Sequence, residues 1–108
     1  MEKLIVVMVP AIHSSLEQSK RFRSELEEAL AKAETVHFDF HQHAAVSSLV
    51  LGHIIFGIKN HRQKIRFIHV SDFLMESLQT IIGPLAKELV LGPVKKLDIQ
   101  LFSSKKKL

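Results

Sequence analysis

The chain has 108 residues, 46% of them hydrophobic and 24% charged, with no cysteine, tryptophan or tyrosine. That size predicts one domain with its own core, and the missing cysteine excludes disulfides, thiolate metal sites, iron–sulfur clusters and thiol catalysis. Formal net charge is +4, but Lys105, Lys106 and Lys107 hold most of the excess. Residues 1–102 therefore read as one nearly neutral domain and 103–108 as a basic tail, a pattern that disfavours nucleic-acid binding, which concentrates charge on a folded face with stacking aromatics.

The apolar run at residues 4–9 is too short to span a bilayer, and no small-residue cleavage site follows it, so the expected address is the cytoplasm without membrane insertion. Its β-branched residues predict a buried strand over 3–9, closed by Pro10. Ser14 with Glu17 matches the capping box that opens a helix, and Leu16, Phe22, Leu26, Ala29, Leu30 and Ala33 recur at helical spacing, so a helix is predicted over 15–33. Residues 35–40 alternate, placing Val36, Phe38 and Phe40 on one face of a second strand. His41, Gln42 and His43 form a loop. The apolar stretch after them suits a buried helix or a strand by periodicity alone. A helix over 47–60 is preferred, because Ser47 or Ser48 can cap it and two parallel strands need a crossover. A third strand covers 65–70. Ser71 or Asp72 then caps a helix carrying Phe73, Leu74, Leu78, Ile81 and Ile82, which Gly83-Pro84 stops. A helical turn over 85–91 follows, and Leu97, Ile99 and Leu101 alternate as a last, edge strand.

Strands and helices in this order define an α/β fold, with helices packed on a single, mostly parallel sheet of four to five strands. Three segments resemble the STAS domain family, which includes the anti-sigma-factor antagonists. Residues 36–40 resemble a family strand. Eight residues after Asp39, Ser47-Ser48-Leu49-Val50-Leu51-Gly52 lies where the family has Asp-Ser-Ser/Thr-Gly-Leu-Gly opening its second helix. Residues 65–71 resemble the strand and turn that precede the third helix. In this register Ser48 takes the place of the family's phosphorylated serine, Leu51 and Gly52 keep their types, and Ser47, Leu49 and Val50 depart from the motif; a one-residue shift puts Ser47 at the phosphorylated place. The resemblance implies a regulatory domain that binds a protein partner, such as an anti-sigma factor or a kinase-like regulator, without catalysis. Asp39, His43, Val46, Ser47, Ser48, Leu49 and Gly52 would form the contact surface.

Each candidate also has a plainer reading. Ser47 and Ser48 can simply cap a helix; as a switch, a phosphate there would add about −1.5 to −2 charges. His37, His41 and His43 cluster in sequence, but zinc wants three or four ligands with supporting partners, and His53, His61 and His69 are dispersed, so no metal or cofactor is expected. Gly52 and Gly57 are isolated within an apolar run and do not make a phosphate loop. The rival function is a small-molecule- or metal-binding α/β protein, for example a small phosphocarrier or transferase using His13 near the end of the first strand. The apolar second helix, with Leu49, Val50, Leu51, Ile54, Ile55, Phe56 and Ile58, is either buried against the sheet or presents a patch to a partner or a second copy of the chain.

Overall fold

The computed structural model describes residues 3–91. Strands β1 (Leu4–Met8), β2 (Thr35–Asp39) and β3 (Ile65–Ile68) form a parallel sheet in the order β1-β2-β3. Helices α1 (Leu16–Lys32) and α2 (Ser48–His61) make the two crossovers, a 3-10 turn (Arg62–Lys64) leads into β3, and α3 (Asp72–Ile82) and α4 (Leu85–Leu89) follow it. Right-handed crossovers in this strand order put α1 and α2 on the same face of the sheet, where they pack on one another.

The sheet therefore has three strands among the described residues, where the sequence predicted four to five. Val90 makes an isolated parallel bridge to Phe67 beside β3. The strand expected at Leu97, Ile99 and Leu101 lies outside the described residues.

Register explains the core. Val7 and Phe38 are partners across β1 and β2, and Phe38 and Phe67 across β2 and β3. With Val36, Phe40 and Ile65 they form the covered face, all buried. Phe22 from α1 meets Phe38 edge-on at 6.1 Å, and Phe40 meets Phe67 edge-on at 5.0 Å. Aromatic rings at such separations add to the area that they bury.

Three expectations are corrected, and one open alternative is decided. The capping box is Ser15 with Gln18, one residue later than Ser14 with Glu17; Ser14 closes the preceding turn by donating its N–H to Ala11. The first strand is not buried throughout: among the described residues it is the sheet's edge, and Leu4, Val6 and Met8 are exposed. Leu16, Phe73 and Ile81, grouped with the apolar residues of their helices, are exposed. The second helix divides: Val50, Ile54 and Ile58 enter the core, whereas Leu49 and Phe56 face solvent.

Candidate functional site

Because the strands are parallel, each following helix starts at the carboxyl end of the sheet, and three serines cap those starts. The side chain of Ser15 accepts from Gln18 N–H, that of Ser47 from Val50 N–H at 3.2 Å, and that of Ser71 from Leu74 N–H at 3.1 Å. Three sets of first-turn N–H groups and three dipole ends thus converge on one end of the molecule. Glu17 and Asp72 supply negative charge in the first turns of α1 and α3; the first turn of α2 has no acidic residue.

Asp39, the last residue of β2, organises this end. Its Oδ1 accepts the His41 N–H at 2.8 Å and lies 2.8 Å from His69 Nδ1. The first bond is a local Asx-type turn; the second joins the ends of β2 and β3. It assigns the Nδ1 proton to the bond with the carboxylate and leaves Nε2 outside it. His41, Gln42 and His69 hold φ of 48°, 59° and 54°, a left-handed conformation that costs energy in residues other than glycine. Gln42 N–H donates to His69 C=O at 2.8 Å, and the Ser71 hydroxyl donates to His43 C=O at 2.8 Å. His43 Nε2 lies 3.1 Å from Val9 C=O. The loop leading to α2 is thus tied to all three strand ends.

The residues singled out in the sequence do gather here, in different environments. Ser47 is half-buried and engaged as the cap, whereas Ser48, the first residue of α2, is exposed. Leu49 and Gly52 are also exposed, and a Cβ added to Gly52 would meet nothing within 4 Å. Val46 packs partly against the core. The rings of His41 and His43 lie 5.9 Å apart, but among the described residues no group of three or more His, Asp or Glu side chains is placed to hold a metal ion. His13 lies exposed in the turn before α1.

Sequence reading missed two features. His69, thirty positions from Asp39 and dispersed in the sequence, meets its carboxylate here. The first turns also carry exposed apolar side chains: Leu16 is 61% exposed, Leu49 46% and Phe73 72%, with Ile12 at 46% in the loop before α1. An apolar residue one or two positions after a serine cap, as in Ser15-Leu16, Ser47-Ser48-Leu49 and Ser71-Asp72-Phe73, was the available signal.

Two histidines away from this end titrate below their ordinary range. Burial lowers the pKa of His37, and the neighbouring Arg66 guanidinium lowers it further. Burial and then Arg23 lower that of His53, with Glu27 opposing them.

No protein-family model, curated protein or solved structure matches the chain. Among the described residues no helix is long and apolar enough to cross a membrane. What the fold defines is a class: an α/β domain with an open parallel sheet whose three helix starts share one end.

Proposed function

We propose that this is a non-catalytic regulatory domain of STAS type that docks a protein partner at the carboxyl end of its sheet. The observation that carries the reading is the set of exposed apolar residues, Ile12, Leu16, Leu49 and Phe73, at the end where α1, α2 and α3 begin. Scattered apolar residues are ordinary on a surface, but a group around a polar centre suits an interface with apolar anchors. The partner's chemistry follows: an apolar patch able to cover Leu49 and Phe73, on an anti-sigma factor or kinase-like protein by the family resemblance.

Ser48 supplies the switch. It is exposed beside Leu49, at a helix start without an acidic residue. The α2 dipole accommodates a phosphate there, whereas a partner's apolar patch would have to desolvate it. Charge at Ser48 therefore releases the partner without unfolding the domain.

The test is capture of the partner from native lysate by wild type and by Leu49→Asp, Phe73→Asp, Ser48→Asp and Ser48→Ala, with phosphopeptide mapping of the native chain. Leu49→Asp, Phe73→Asp and Ser48→Asp lose the partner, and Ser48→Ala keeps it. Equal capture by Ser48→Asp and Ser48→Ala removes the switch. Equal capture by Leu49→Asp and wild type removes the surface. A nucleotide or metal retained through purification would support the ligand-binding rival.

A further inference from the structure

A residue in a strand directs its N–H and C=O to the same side. Val9 N–H donates to Asp39 C=O at 2.9 Å, and Lys3 C=O accepts from Thr35 N–H at 3.2 Å. Lys3, Ile5, Val7 and Val9 therefore face β2, while Leu4, Val6 and Met8 direct their backbone groups to the other side, where β1 has no neighbouring strand among the described residues. The side chains of these residues are the half-exposed ones, at 53%, 49% and 51%. Along this edge runs a groove of about 510 Å³, lined by β1 and by Glu25, Glu28, Ala29 and Lys32 of α1. Isolated edges are usually guarded by a charge, a proline or a bulge. Leu4–Met8 has no charge and no proline, and its register with β2 is unbroken.

We infer that β1 pairs antiparallel with β1 of a second copy of this chain, about a two-fold axis through Val6. The strip matches itself: Val6 meets Val6 of the second copy, and Leu4 meets its Met8. At these matched positions both N–H···O bonds close, because the outward-facing residues oppose one another. Leu4, Val6 and Met8 then gain aliphatic cross-strand neighbours on the open face. Charge favours a copy over the chain's own basic 105–107 segment. Lys3 and Lys32 balance Glu25 and Glu28 along the groove, so two copies meet without net repulsion, while a run of lysines finds no surplus of acid. Closure about a two-fold axis makes the pair finite and joins the two sheets into one.

The test is sedimentation velocity on the full chain across the micromolar range, with amide exchange at Leu4, Val6 and Met8. A concentration-dependent dimer whose formation protects these amides is expected. Val6→Pro removes a donor that the chain's own sheet does not use, at a position where an edge strand tolerates proline; it raises the dimer dissociation constant at least about tenfold with the circular dichroism of the monomer unchanged. Val6→Lys and Val6→Glu each set like charges across the axis and weaken the dimer to a similar degree, and mixing the two variants restores it. A monomer at every concentration, exchange protection independent of concentration, a dimer indifferent to Val6→Pro, or a mixture that stays monomeric overturns the inference.

Discussion

Replacing Asp39 by alanine tests whether its carboxylate holds the functional end together. Its Oδ1 serves two partners, His41 N–H and His69 Nδ1, each at 2.8 Å. A hydrogen bond to a charged group contributes about 1.5–3 kcal/mol, and the His41 bond merits that range because the Asp39 side chain is only 13% exposed. The His69 side chain is 39% exposed, so solvent screening reduces that half of the pair to about 1 kcal/mol or less. The sum is about 3 kcal/mol, which for a domain of this size lowers the melting temperature by roughly 15 °C. Asp39→Asn keeps an acceptor oxygen for both partners and loses the charge, so about 1 kcal/mol is expected. Urea denaturation of the three proteins side by side measures both differences. Asp39→Ala within about 0.5 kcal/mol of wild type, or Asp39→Asn as damaging as Asp39→Ala, refutes the assignment.

Two glycines separate strain from space. Neither Gly52 nor Gly83 has a neighbour within 4 Å of an added Cβ, but Gly83 sits at φ 68° and ψ −150°. Gly83→Ala should cost about 1–3 kcal/mol, while Gly52→Ala, at an exposed helical position, should stabilise by up to about 1 kcal/mol; thermal melts give both signs. For His37, the lowered folded pKa means that the unfolded chain binds more protons between that value and the ordinary 6.5. Its contribution is therefore complete above pH 6.5 and is lost as pH falls through the folded value. Unfolding free energies measured against pH should show a shallower decline for His37→Gln than for wild type, and identical curves refute the linkage.

Elements came through in the sequence where pattern and packing ask the same thing. Val36, Phe38 and Phe40 alternate, and all three are fully buried, because a central strand under helices has one covered face. Residues 47–60 were ambiguous by periodicity, and topology resolved them: β2 and β3 are parallel and need the crossover that α2 makes. What failed was whatever depends on contacts outside the element itself. Ser14-x-x-Glu17 and Ser15-x-x-Gln18 both fit a capping box, and a turn outside the helix decides between them. An apolar run such as 4–8 reads as buried, but nothing local announces that β1 is an outer strand among the described residues. Asp39 and His69 meet only because β2 and β3 end side by side. At the functional end, the loop and the start of α2 were legible, and the polar network and Phe73 beside them were not.

The distinction between Ser47 and Ser48 turns the proposed switch into a question of opposite signs. Ser47 accepts the Val50 N–H, so Ser47→Ala removes a cap and should cost about 1 kcal/mol; any loss of partner in that variant is confounded with a loosened helix. Ser48 makes no such cap and is exposed. Its replacement by alanine should leave stability nearly unchanged. Ser48→Asp adds a negative charge where the α2 dipole favours one, and should stabilise the domain by roughly 0.3–1 kcal/mol. A simple folding defect lowers stability and binding together. A charge switch at Ser48 raises the first while abolishing the second, because the charge that suits the helix end must lose its water when an apolar partner covers it. Denaturation and partner binding measured on the same Ser48→Asp sample decide the matter, and a variant that loses both, or neither, rules the switch out.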